Sequence, residues 1–176
     1  VEDGLLAAVE RALRLSGLPP SQLELEVTES ALAHGSEAVG RLLRRLRALG
    51  VWLTLDDFGT GHSSLSYLHQ FPADKLKLDR SFVCDMETRN DVRDIVGAVT
   101  GLAHRLGLDV IAEGVETGGQ LGQVRSLGCE YVQGYYFSKP VDRERAAELL
   151  QTGFPPLPGT EGAAAPTAGA SVEESG

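Results

Sequence analysis

The sequence predicts an α/β protein of alternating strands and helices around a parallel sheet, and three observations carry that prediction. Short apolar runs alternate with segments whose apolar residues recur at helical spacing. Several of those helical segments end in Leu-Gly, and a strand-like run follows almost at once. Leu49-Gly50 precedes Val51–Asp56, Leu106-Gly107 precedes Asp109–Glu113, and Leu127-Gly128 precedes Glu130–Gln133. Glycine suits the left-handed position that closes a helix. Within the strands, apolar and polar residues alternate, which gives each strand one apolar face. Strands separated by helices of this length imply βαβ units and parallel pairing.

The elements follow in order. An opening helix carries Leu5, Leu6, Val9 and Leu13, ends near Gly17, and is prevented from continuing by Pro19-Pro20. Leu23–Val27 (LELEV) reads as the first strand. Val39, Leu42, Leu43 and Leu46 mark a helix that leads into the strand Val51–Asp56. Lys75–Asp79 (KLKLD) is a further strand. Val92, Ile95, Val96, Val99 and Ala103 mark the helix before Asp109–Glu113, and Leu121, Val124 and Leu127 the one before Glu130–Gln133. A last helix over 143–150 is expected to be capped by Asp142. From Gly153 onward, Pro155, Pro156, Pro158 and Pro166 interrupt an Ala/Thr/Ser/Glu tract with hardly any large apolar residue. Such a segment buries too little surface to offset its ordering entropy, so 153–176 is read as a disordered tail and 1–152 as the domain.

The alternation also indicates how the sheet is used. Leu23, Leu25 and Val27 face one way and Glu24 and Glu26 the other. Leu53 and Leu55 oppose Thr54 and Asp56, and Leu76 and Leu78 oppose Lys75, Lys77 and Asp79. An apolar outer face under helices and a polar inner face suit a closed barrel better than an open sheet covered on both sides. Each strand is entered from a helix stop, so the polar strand ends lie at the carboxyl edge. Glu26, Asp56, Asp57, Lys77, Glu113 and Gln133 are therefore expected to converge on one rim, where barrel enzymes keep their sites. A (β/α)8 barrel needs at least about 200 residues. With five strands in 176 residues, the fold is expected to be either smaller or an incomplete TIM-type barrel lacking its first strands.

Composition narrows the chemistry. A net charge of −9 argues against DNA or an anionic membrane surface as the main partner. No window has the length of a transmembrane helix and no signal peptide opens the sequence. Cys84 and Cys129 form no CxxC pattern and read as two reduced thiols of a cytoplasmic protein. His34, His62, His69 and His104 are scattered, and no HExxH or Cys/His cluster exists. Taken alone, Asp56-Asp57 in LDDFGTGHSSL is a solvated turn in which an Asp caps the next helix. Set among converging acids with one Lys, the pair calls for a cation, and all-oxygen ligands suit Mg2+ or Mn2+ rather than zinc.

Five segments occur in a telling order: LELEVTES (23–30), LDDFGTGHSSLSYL (55–68), KLKLDRSFV (75–83), VIAEGVET (110–117) and GCEYVQGYYFSKPV (128–141). Together they resemble the C-terminal two-thirds of an EAL domain, the cyclic-di-GMP phosphodiesterase module of bacterial signalling. The resemblance implies a (β/α)8 barrel that hydrolyses cyclic di-GMP to linear pGpG with two Mg2+ or Mn2+ ions. It implies that Glu26 and Asp56 are metal ligands, with Asp56 bridging two ions and Asp57 serving the second. Glu113 matches a glutamate assigned to the second metal or to general-base duty. Lys77 matches the lysine that contacts the attacking water, and Gln133 a glutamine that hydrogen-bonds within the site. Glu29 matches the glutamate that anchors the loop Gly59–Ser64, which in the family couples the site to a dimer interface. His62 stands where the family usually has Tyr or Phe.

Residue type alone leaves structural alternatives open. Lys77 could serve as a barrel ion pair with Asp79 or a glutamate, and Gln133 as a satisfied interior amide. Asp79 and Arg80 could form a structural pair near the rim, and Tyr135 and Tyr136 are read as rim packing. The family's Glu-Ala-Leu motif and its Asn-bearing strand do not occur upstream of the opening helix. This chain alone is therefore expected to be a weak or inactive phosphodiesterase, with any membrane anchor left to regions upstream. The alternatives are a non-catalytic cyclic-di-GMP receptor, an interaction module, and a metal-dependent barrel in which Lys77 stabilises an enolate.

Overall fold

The computed structural model describes residues 2–33, 37–59 and 71–153. The chain divides into a unit of residues 1–139 and a second unit that begins at Pro140. In the first unit, β1 (Glu24–Thr28), β2 (Trp52–Phe58), β3 (Lys75–Leu78), β4 (Asp109–Glu113) and β5 (Tyr131–Gln133) form one parallel sheet. Their order in space is their order in the chain. A doubly wound sheet reverses its strand order partway across, whereas a barrel winds in one direction, as this sheet does.

Helix α1 (Glu2–Ser16) precedes β1, and α2 (Glu29–Ala33) and α3 (Glu37–Ala48) join β1 to β2. Helices α4 (Arg80–Asp85) and α5 (Asn90–Arg105) join β3 to β4, and α6 (Gly118–Ser126) joins β4 to β5. The predicted strands and long helices are all present, with ends that differ by a few residues. The short α2 and α4 were not anticipated, because five or six residues contain too little of a helical period to read.

The strand faces explain the layering. Leu53, Leu55, Leu76, Leu78, Val110 and Ala112 are buried. Leu6 and Val9 of α1 and Leu43 and Leu46 of α3 close over Val51 and Leu53 as one apolar cluster. The opposite face is polar and built in layers. Glu24 pairs with Lys75 at 2.6 Å and also accepts a hydrogen bond from Thr54. The Lys75 ammonium lies 4.7 Å from the centre of the Tyr131 ring and 5.7 Å from that of Trp52. Burial pushes the Glu24 carboxyl up, but the Lys75 and Thr54 hydrogen bonds outweigh it and hold the group below the ordinary carboxylate range. This lower layer spaces the strands beneath the rim.

At the opposite strand ends, Glu130 ties three elements together. Its carboxylate accepts from the Val110 amide at 2.8 Å and pairs with His104 Nε2 at 3.0 Å. Burial opposes ionisation, yet these hydrogen bonds hold its pKa below the usual range. A depressed carboxylate pKa stabilises the fold above the unfolded value and is lost as pH falls through the folded value. Glu130→Gln is therefore expected to cost about 1 kcal/mol at neutral pH, discounted for exposure. Urea midpoints of the two proteins should approach each other as pH falls below about 4. An equal gap at every pH would refute the assignment.

In the second unit, α7 (Arg143–Thr152) begins with Asp142 accepting from the Arg145 amide at 2.9 Å, as expected, and ends at Gly153 with φ +77°. The rest of the expected tail, 154–176, lies outside the described residues. No described helix is long and apolar enough to cross a membrane.

Candidate active site

Parallel register sets the site. Strand β1 pairs Glu26 with Thr54, and β3 pairs Lys77 with Ile111. Glu26, Asp56, Lys77 and Glu113 all lie on the inner face near the carboxyl ends of four neighbouring strands. The Lys77 ammonium sits among three carboxylates: Glu26 Oε1 at 3.2 Å, Asp56 Oδ1 at 3.3 Å and Glu113 Oε2 at 3.4 Å. Its side chain is 7% exposed, against 46% for Glu26 and 31% for Glu113, so the ammonium is at the bottom and the acids open toward solvent. Desolvation pulls the Lys77 pKa down. The Glu26 hydrogen bond and the charges of Asp56, Glu113 and Glu26 overcome it and hold the group above the ordinary lysine value. Lys77 is therefore a fixed positive charge at neutral pH.

Asp57 stands beside Asp56 in the left-handed region, φ +56°, with its amide donating to Asp56 Oδ1 at 2.9 Å. A non-glycine residue at positive φ is uncommon and marks a constrained position. Strand β2 runs through this pair to Phe58, so the acids lie within the strand end and not in the following turn. The Glu29 carboxylate accepts from the Gly59 amide at 3.2 Å, at the entrance to the loop it was expected to anchor. Residues 60–64 of that loop, with His62, lie outside the described residues, as do His34 and His69.

Gln133 lies opposite Glu113 on β5, and its carbonyl accepts from the Gly114 and Val115 amides at 2.8 and 3.1 Å. With Glu24, Glu26, Lys75, Ile111 and Tyr131 it lines a cavity of about 520 Å3 on the inner face of the sheet. Both β1 and β5, the two outer strands, contribute to this cavity, so the sheet curls. The ion pair considered for Lys77 with Asp79 does not form; Asp79 caps α4 by accepting from the Ser81 amide and hydroxyl. Nor do Asp79 and Arg80 pair, for Arg80 reaches Glu116 at 3.1 Å.

The donor set is of the all-oxygen type that suits a hard divalent ion, and three carboxylates here surround one cation. In this arrangement that cation is the ammonium. Among the described residues no three His, Cys, Asp or Glu side chains close a metal cage by themselves. Glu26, Asp56, Asp57 and Glu113 are the residues that could hold such ions beside Lys77.

Comparison with known proteins is consistent in one direction. The EAL domain pattern matches residues 1–140. A cyclic di-GMP phosphodiesterase of Pseudomonas aeruginosa, NbdA, is 48% identical over 147 residues, which is 84% of this chain and 19% of that protein. The solved EAL domain of Mycobacterium smegmatis DcpA superposes with a TM-score of 0.82 at 39% identity, covering 88% of this chain and 69% of that one. Klebsiella pneumoniae BlrP1, solved as a manganese and cyclic-di-GMP complex, gives 0.72 at 36% identity over 77% of this chain and 34% of that one. This chain spans about a fifth of the length of the curated relatives it matches.

Proposed function

The chain belongs to the EAL domain family, and from that premise we propose that it is part of a phosphodiesterase that hydrolyses cyclic di-GMP to pGpG in the bacterial cytoplasm. One observation carries the reading: three carboxylates from β1, β2 and β4 meet around the buried ammonium of Lys77. The α/β architecture with its parallel five-stranded sheet places that cluster at the carboxyl edge, where such folds bind ligands.

Residues 1–152 form the family domain in this reading. Glu26, Asp56, Asp57 and Glu113 would hold two Mg2+ or Mn2+ ions, which supply charge neutralisation at the phosphodiester and an acidified water. The chain's own groups do the rest. The Lys77 ammonium would donate to the attacking water or to a phosphate oxygen, stabilising charge that grows in the transition state. If Glu113 is not spent on the second ion, its carboxylate, 3.4 Å from that ammonium, would instead accept a proton from the nucleophile as general base. Gln133, across from Glu113, offers an amide to orient the ligand in the cavity. A homodimer through the loop after Asp57 belongs to the same proposal.

These 176 residues alone are proposed to be a weak or inactive catalyst. Among the described residues β1 and β5 each have one strand neighbour, so the site is walled by five strands where a closed barrel has eight. Incubation of the chain with cyclic di-GMP and Mn2+, followed by chromatography, should yield pGpG at under about 1% of the rate of a complete barrel carrying the same residues. Calorimetry should still detect Mn2+ binding. Turnover at the full rate would overturn the proposed weakness. A complete barrel that neither binds nor cleaves cyclic di-GMP would overturn the phosphodiesterase reading.

A further inference from the structure

The loop between β4 and α6 begins one residue after Glu113, and it is held from three sides. On the inner side, the Gly114 and Val115 amides donate to the Gln133 carbonyl, and the Val115 carbonyl accepts from Tyr136 at 2.9 Å. At the far end, Thr117 caps α6 in a reciprocal pair with Gln120, and its hydroxyl also donates to Glu87 at 3.1 Å. On the third side stands Arg80, the first residue of α4. Its stem fills the volume that a side chain at Gly114 would occupy: a Cβ there would lie 2.4 Å from Arg80 Cγ. Its guanidinium then reaches over the loop to Glu116 at 3.1 Å. Gly114 has φ +81°, so it is a residue with wide backbone freedom in the turn next to Glu113. The Arg80 stem takes that freedom away.

Arg80 also follows Lys77 closely on the chain. One side chain therefore bridges the start of α4, three residues after the ammonium-bearing Lys77 of β3, and the β4–α6 connection, which begins directly after its glutamate partner. The Arg80–Glu116 pair is mostly solvent-exposed, at 60% and 41%, and such pairs add little to stability. Its effect is positional. From this geometry we propose that Arg80 is a positioning residue for Glu113: by packing on Gly114 and pairing with Glu116, it fixes the Glu113 carboxylate against Lys77 and the metal-binding acids. The proposal deepens the phosphodiesterase reading and rests on it for the role of Glu113.

The test uses the 176-residue chain with Arg80→Ala and Arg80→Lys. Hydrogen exchange without metal should show the Gly114 and Val115 amides exchanging roughly tenfold faster in Arg80→Ala, while β2 and α5 amides keep their protection. Lysine keeps an aliphatic stem and a cation, so Arg80→Lys should restore most of the protection. Calorimetric titration with Mn2+ should show affinity about tenfold weaker in Arg80→Ala at an unchanged melting temperature, the pattern of lost outer-shell support. Exchange at Gly114 and Val115 equal to that of the unsubstituted chain would overturn the proposal, as would no recovery in Arg80→Lys. If the unsubstituted chain binds no Mn2+, the metal-site reading fails by itself, and the exchange rates still decide for or against Arg80.

Discussion

Replacing Lys77 with Met is expected to destabilise the fold by about 2–3 kcal/mol at neutral pH in the presence of EDTA. Removing one partner of a buried ion pair costs about 3–5 kcal/mol, because the remaining charge keeps its desolvation and loses its compensation. Here three carboxylates would be left facing one another, but Glu26 and Glu113 are partly open to water, which reduces the cost. Methionine is long enough to fill the space and cannot carry the charge, so the loss is electrostatic and not a cavity effect. The sign with pH follows from the raised lysine pKa. Its contribution is complete below the unfolded value near about 10.4 and disappears only as pH rises through the folded value. The gap between the two proteins should therefore persist from neutral pH into the alkaline range and close above it. Added Mn2+ should recover most of the lost stability, since an ion binding only the folded state adds to it by mass action. In a complete barrel the same substitution should lower turnover by about a hundredfold or more. Equal urea midpoints in EDTA would show that the ammonium does not hold the acids together.

The members of this cluster were legible in the sequence because strand alternation puts residues of even spacing on one face. Glu26, Asp56 and Lys77 could be assigned to the polar face from LELEV, VWLTLD and KLKLD alone, and Glu113 to the rim as the polar end of DVIAE. Which of them touch could not be read, since that depends on register between strands far apart in the chain. Asp79 illustrates the limit. It sits on the same alternating face as Lys77, yet a six-residue helix begins at the next residue and claims its carboxylate as a cap. Arg80 was assigned the wrong partner, Asp79, for a similar reason, because Glu116 lies across the rim on another connection. The extension of β2 through Asp57 was missed because polar residues at a strand end look like a turn, and the left-handed φ that bends the strand there has no glycine to announce it.

Among the described glycines, Gly134→Ala is expected to be the most damaging change to alanine, with a loss of about 3–5 kcal/mol. The glycine directly follows β5, next to Gln133, and its backbone is pressed against that of Val115. A Cβ would lie 2.1 Å from the Val115 carbonyl oxygen, 2.4 Å from its nitrogen and 2.7 Å from its carbonyl carbon. Those atoms are main chain, so no rotamer change can clear them, and the β4 and β5 ends must separate. Overpacking of this kind costs about 1–3 kcal/mol. Separation also breaks the Gly114 and Val115 hydrogen bonds to Gln133, each about 1 kcal/mol. Gly101 in α5 supplies the control, because a Cβ there meets nothing within 4 Å. Gly101→Ala should be neutral or stabilising by up to about 1 kcal/mol through helix propensity and unfolded-state entropy. Urea midpoints should therefore move in opposite directions for two substitutions of identical chemistry. Because Glu113 and Gln133 flank this contact, the separation should also weaken Mn2+ binding in whatever Gly134→Ala protein remains folded. A midpoint for Gly134→Ala equal to that of Gly101→Ala would mean that β4 and β5 do not meet at the rim in solution, and that the carboxylate of Glu113 is held by something other than this backbone contact.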